Sequence, residues 1–254
     1  MDPYGSELPY ERLESFLKTG SGLDELYYKV LSQAFQRNNS KVMNRYRSVM
    51  GRILTAKEPL PLSTLSKMHV NSLAWMNEIK AIIEPLGCLL SGINGNEIAI
   101  KPLHSSFPDY LTCSSRSGEF FINIDKAEKE FAFTALFILK RELYFNICQL
   151  PTSFKANDDP EVNILQQAKE KVSAHLIYAC CFFSAHVLHV PCSGHILKEL
   201  HYLFENKFLY WLEVLSITSK MSIAPGILSS LLNWKKVQSF CEHTLKLSNF
   251  FADR

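Results

Sequence analysis

The sequence has no excess of charge of either sign. Lysine and arginine together number 27 and aspartate and glutamate 25, so the 254 residues carry a net charge of +2. That balance gives no sign of the strongly basic face that a nucleic-acid backbone requires, so nucleic acid is not the first expectation. Glycine is scarce, ten residues in all, and none is followed by lysine. A G-x-x-x-x-G-K-[ST] loop is therefore missing. Such a loop cradles phosphates with consecutive backbone donors and a lysine charge, so tight binding or hydrolysis of ATP by this chain alone is not expected.

Cysteine is present in an odd number, seven, and no pair has the C-x-x-C spacing. Most of the cysteines sit in apolar runs, which points to buried free thiols in a reducing compartment. A signal peptide is not expected, because Met1-Asp2-Pro3-Tyr4-Gly5 is polar and acidic. The Asn38-Asn39-Ser40 sequon carries little weight without one. The most apolar run, Leu176 to Val190, is too short for a span and contains His186 and His189. It reads as a buried helix, and a cytoplasmic location is expected.

The chain does have ordinary globular material. Hydrophobic residues make up 47% and charged residues 20%, enough to bury a core in one or two domains. Leu13, Phe16 and Leu17 fall at helical spacing, Gly20-Ser21-Gly22 reads as a break, and Leu23 to Phe35 as a short amphipathic helix. Lys41 to Thr55 is a better helix, with Val42, Tyr46, Val49, Met50 and Ile53 at i, i+4, i+7 spacing. Pro59 and Pro61 stop it. Ser63 is placed to cap a second helix, and a third runs from Asn71 to Glu84.

The period then changes. Leu86 to Leu90 and Ile98 to Ile100 read as paired strands, with Asn94-Gly95 as the hairpin cue between them. Three helices followed by two strands is the winged-helix order, over roughly 41–103. From Asp125 on the pattern is helical. Asp125 and Glu128 resemble a capping box, and the helix behind them is apolar nearly all round. Ile164 to Val190 reads as helix in two pieces near Ser173. Ile196 to Thr218 and Ile227 to Phe250 are further helical regions. The expected fold class is mainly α: a helical segment over 1–40, a winged-helix module with a two-stranded β-wing over 41–115, and an α-helical bundle over 125–254.

The segment Lys101-Pro102-Leu103-His104-Ser105-Ser106-Phe107-Pro108-Asp109-Tyr110-Leu111 resembles the hallmark of the winged-helix domain in NACHT signalling ATPases. There a histidine is followed two residues later by Ser-Phe and then by an aromatic-Leu pair. The similarity is strongest to the basidiomycete NACHT proteins, related to heterokaryon-incompatibility proteins and often bearing WD40 repeats. Gly22 to Tyr27, Glu58 to Leu65, Leu143 to Cys148, His175 to Cys180 and Phe208 to Ser216 resemble further segments of that family in the same order. The resemblance covers roughly 8–235, the arm that follows the ATPase core.

The resemblance implies a non-catalytic switch element. In such proteins the winged helix packs over ADP in a closed state and its histidine touches the β-phosphate, so His104 would be the nucleotide-sensing residue. ADP or ATP would enter only with a full-length core. Partners would be proteins, a NACHT core or repeat domain, with no membrane and with nucleic acid disfavoured. An imidazole N–H is a suitable donor to a phosphate oxygen. Ser105 or Ser106 is placed to cap the next helix, whose exposed N–H groups favour anions.

Other readings carry less. His186 and His189 lie near Cys180, Cys181 and Cys192, but without zinc-ligand spacing, so a crowded core is expected. Cys113 precedes Ser114-Ser115-Arg116, and no base is placed beside it by the sequence. Trp75, Trp211 and Trp234 read as core. A DNA-binding winged helix is disfavoured because the third helix carries Glu78 and Glu84 against Lys80. The Lys41, Arg45, Arg47 and Arg52 set reads as a solvated face. An interaction scaffold without the ATPase core is the remaining alternative.

Overall fold

A computed structural model describes residues 20–35, 39–69, 72–152, 154 and 164–236. It is mainly helical, with one two-stranded antiparallel sheet. The sequence signals at Leu13 to Leu17 and beyond residue 236 lie outside the described residues. Among those described, no helix is long and apolar enough to cross a membrane. The chain divides into two compact units. One holds the residues up to Ser63 with Leu73–Ile124, the other Thr64–Ser72 with the chain from Asp125 on.

In the first unit, helix α1 spans Gly20–Ala34. The expected break at Gly20-Ser21-Gly22 is instead its first turn. Helix α2, Ser40–Thr55, starts where the Asn39 side chain accepts from the Val42 N–H at 3.2 Å. That contact satisfies one of the donors a helix start leaves open. Its inner stripe is Met43, Tyr46, Val49, Met50 and Ile53, all buried. The Tyr46 ring lies 5.0 Å from Phe35 and 5.9 Å from Phe120, and its hydroxyl donates to the Phe120 carbonyl at 3.2 Å. The basic residues of α2 are not simply a solvated face. Arg45 pairs with Glu78 at 3.3 Å, Arg47 donates to the Glu119 carbonyl, and Arg52 is buried with its guanidinium 5.8 Å from the Trp75 ring.

Helix α3, Leu62–Lys67, starts in this unit and continues into the second, and α4, Ser72–Ile83, returns to the first. Ser63 lies inside α3 rather than at its cap, and its hydroxyl donates to Glu97 at 3.0 Å. The sheet is shifted from its expected place. Strand β1 is Leu90–Ser91 and β2 is Lys101–Pro102, with Leu90 opposite Pro102. Residues 98–100 turn their hydrogen bonds elsewhere: Ala99 bridges Pro61, and the Ile100 N–H donates to the Leu60 carbonyl. The residue with positive φ is Gly92, at +80°, and not Asn94 or Gly95. A Cβ on Gly92 would stand 2.1 Å from the Ala99 carbonyl oxygen, so close backbone approach shapes this hairpin. Two short helices, α5 (Ser106–Leu111) and α6 (Ser114–Ser117), complete the unit.

The second unit is built on α7, Ile124–Glu142, which buries Phe131, Ala132, Ala135, Leu136, Ile138 and Leu139. The capping box is not formed. The helix begins before Asp125, and Glu128 is turned into the interior. Helices α8 (Ile164–Lys171) and α9 (Ala174–Val187) are separated by Ser173 in an extended conformation, as the sequence predicted. The stretch 196–218, expected as one region, is two helices: α10 (Gly194–Asn206) and α11 (Phe208–Ile217). The break is at Lys207, whose ammonium donates to the Leu143 carbonyl at 2.7 Å. Residues 224–236 are helical as well, the last helix among the described residues, α12. Trp75, Trp211 and Trp234 are all buried. The indole of Trp211 donates to the Cys180 carbonyl and that of Trp234 to the Val190 carbonyl.

Candidate functional site

His104 stands in the turn between β2 and α5. The turn is held on both sides. The Leu103 N–H donates to the Leu89 carbonyl, and the Phe107 N–H donates to the His104 carbonyl. Behind it Phe107, Tyr110 and Leu111 form the i, i+3, i+4 face that sinks α5 into the core. The imidazole itself is exposed.

The ring's orientation follows from its partners. The Ser106 backbone N–H donates to His104 Nδ1 at 3.1 Å. A backbone N–H only donates, so Nδ1 carries the lone pair and the proton resides on Nε2. The Ser106 hydroxyl lies 2.7 Å from the same Nδ1, and the Tyr27 hydroxyl lies 2.6 Å from Ser106 Oγ. With Nδ1 accepting, the chain of protons has one direction: Tyr27 donates to Ser106, and Ser106 donates to His104. The Nε2–H is left as a donor with no protein partner among the described residues.

Tyr27 belongs to α1, so this chain of hydrogen bonds ties α1 to the start of α5. A second tie lies nearby. The Arg116 guanidinium grips the Asp24 carboxylate through two bonds, 2.8 and 2.6 Å, a fork-to-fork geometry stronger than a single bond. The Tyr27 ring packs 5.1 Å from Phe107 and 5.4 Å from Tyr110. Burial, then the Asp24 and Glu119 carboxylates, push the Tyr110 phenol up to about 12, with Arg116 pulling the other way. Neither Tyr27 nor the Asp24–Arg116 pair was a candidate in the sequence. Asp24 and Arg116 are 92 residues apart, and no local periodicity connects them. The expected caps are partly corrected: Ser105 holds the N-cap position of α5 but makes no side-chain cap, and Ser106 is already in the helix.

Cys113 Sγ is 3.2 Å from the Ser115 hydroxyl. That hydrogen bond, helped by nearby backbone donors and Arg116, holds the thiol below its ordinary value against a smaller effect of burial. Only Cys148 and Cys180 of the described cysteines are buried, and Cys88 is exposed. Burial pushes the Cys148 and Cys180 thiols up. His186 stacks on Phe131 at 4.5 Å and bonds Glu128 and Tyr178, so its ring nitrogens serve the core. Among the described residues no group of three or more His, Cys, Asp or Glu side chains is placed to hold a metal ion. Comparison of the chain with family models, with curated proteins and with solved structures gave no match.

Proposed function

We propose that the chain is the regulatory, non-catalytic arm of a NACHT-type signalling ATPase, with His104 as the group that reads the bound nucleotide. The single observation that carries this reading is the His104 ring. Its Nδ1 is occupied by Ser106, and its Nε2–H remains as an outward donor, the form of imidazole that suits an anionic oxygen. The element order α2, α3, α4 and then two antiparallel strands supports a winged-helix reading. Leu103, beside His104, is 58% exposed and Ile98 is 57% exposed. A large apolar side chain left in water next to the candidate residue, as Leu103 is, suits a face that docks on another protein surface, here the nucleotide-binding core. The same surface suits a stand-alone scaffold that binds a full-length relative. DNA binding is disfavoured, because Glu78 and Glu84 lie on or beside α4 and Glu78 already holds Arg45.

The test begins with transcripts across the Met1 codon. The expected result is an in-frame upstream exon encoding a Gly-rich loop that ends in Gly-Lys-Ser or Gly-Lys-Thr. In the protein that includes it, His104→Ala should lose the ADP retained through purification, read by chromatography of the released nucleotide. Full retention of ADP by that variant would remove His104 from the switch. Transcripts with no such exon would leave the scaffold.

A further inference from the structure

The second unit holds a cavity of about 540 Å³, lined by both charged and apolar side chains, that has no part in the nucleotide-sensing proposal. Lys67, His69, Arg141, Lys171 and His175 line it, and Glu142 is the one carboxylate among its lining residues. Three permanent cations thus face one anion, and that anion is already engaged. Glu142 bonds His175 Nε2 at 2.8 Å and pairs with Arg141. Lys67 and Lys171 are exposed and have no carboxylate partner among the described residues. They come from the ends of α3 and α8, so two separate elements deliver unpaired positive charge to the same hollow.

Two further features point the same way. The cavity reaches the start of α9, where Ser173 makes no side-chain cap and the first turn holds no acidic residue. The opening N–H groups of that 14-residue helix lack side-chain acceptors, and the helix dipole adds positive potential there. His175, whose side chain is 8% exposed, also lines the cavity, and Glu142 holds it in place through Nε2. Tyr144, Ile147 and Leu176 give the hollow an apolar side. The volume is larger than one tetrahedral ion needs and falls in the range of small-molecule sites.

We propose that this cavity binds the phosphate group of a small phosphomonoester, with Lys67, Lys171 and the start of α9 as its anion contacts and the Tyr144–Leu176 side receiving the ester body.

Calorimetric titration of the full chain with inorganic phosphate and with glycerol 3-phosphate tests it, at ionic strength held constant with sodium chloride. Both probes should give saturable binding. Lys67→Glu and Lys171→Glu should each weaken it by about tenfold or more, since each reverses a unit charge beside the anion. Both side chains are exposed, so the melting temperature without ligand should not change, and that is checked first. Tighter binding of the ester assigns the site to phosphomonoesters; equal binding assigns it to free phosphate, and either keeps the anion site. No saturable signal beyond that of chloride, or equal binding by the reversed variants, overturns the proposal. His104→Ala, in the other unit, should bind both probes as the wild type does, so this result and the fate of the nucleotide-sensing reading are separable.

Discussion

Glu128 Oε2 lies 2.5 Å from His186 Nδ1, and the two side chains are 4% and 0% exposed. The other ring nitrogen of His186 is 2.8 Å from the Tyr178 hydroxyl, and the ring lies flat on Phe131. Each polar atom of this cluster therefore depends on the next. Glu128→Ala would take the carboxylate away from the Nδ1 side of a buried imidazole, which costs about 3–5 kcal/mol for a buried pair broken from one side. Glu128→Gln keeps the volume and one acceptor and should cost less. Urea unfolding of both variants checks this. A loss under about 0.5 kcal/mol in the alanine variant, the size of a surface change, would show that the cluster carries no stability.

Gly92 and Gly95 make opposite predictions although both lie in the same hairpin loop. At Gly92 a Cβ meets the Ala99 carbonyl oxygen at 2.1 Å and φ is +80°, so neither the space nor the backbone admits a side chain. Gly92→Ala should destabilise by roughly 2 kcal/mol or more, the sum of a left-handed penalty and a backbone shift. At Gly95 the nearest atom is the end of the Ile98 side chain, at 2.9 Å, which can rotate away. Gly95→Ala should change stability by about 0.5 kcal/mol or less. Thermal melts of the two variants decide it, and equal losses would mean the hairpin turns where the Asn-Gly dipeptide suggests.

That contrast shows where the sequence is legible. Helices α2 and α4 were readable because their apolar spacing is local, and the break at Ser173 because the pattern restarts there. Strand placement was not, because residues 98–100 bond to Leu60 and Pro61, almost forty residues earlier, and no local signal records such a partner. The split at Lys207 interrupts an unbroken apolar pattern and depends on a bond from its side chain to the Leu143 carbonyl. Glu128 fitted a capping box by spacing, yet His186, 58 residues away, draws it inward. His104 was singled out from its flanking residues. The Tyr27 hydroxyl that completes its hydrogen-bond chain, 79 residues from Ser106, was not.

Cys113 should be the thiol that distinguishes itself in alkylation. The Ser115 hydroxyl at 3.2 Å stabilises the thiolate and lowers its pKa. Cys180 is sealed in the core with its pKa raised by burial. Iodoacetamide labelling near pH 7, followed by mass spectrometry of the peptides, should modify Cys113 in the folded protein and leave Cys180 untouched until denaturant is added. Ser115→Ala should slow the labelling of Cys113, because the hydrogen bond that favours the thiolate is gone. An unchanged rate would assign the reactivity to exposure alone.

The Glu142 carboxyl gives the pH dependence its sign. Burial pushes its pKa up, but the hydrogen bond to His175 and the pairing with Arg141 together outweigh that, and the net direction is down. The folded state therefore favours the carboxylate more than the unfolded chain does. This contribution is fully present above the ordinary carboxylate range and is lost as pH falls below about 4, toward the folded-state pKa. Glu142→Gln cannot ionise and lacks the contribution at every pH. The gap in unfolding free energy between wild type and Glu142→Gln should accordingly be widest near neutrality and narrow on acidification from about pH 5 to pH 3. A gap that widens on acidification would mean that burial, and not the His175 and Arg141 contacts, sets the ionisation of this carboxyl group.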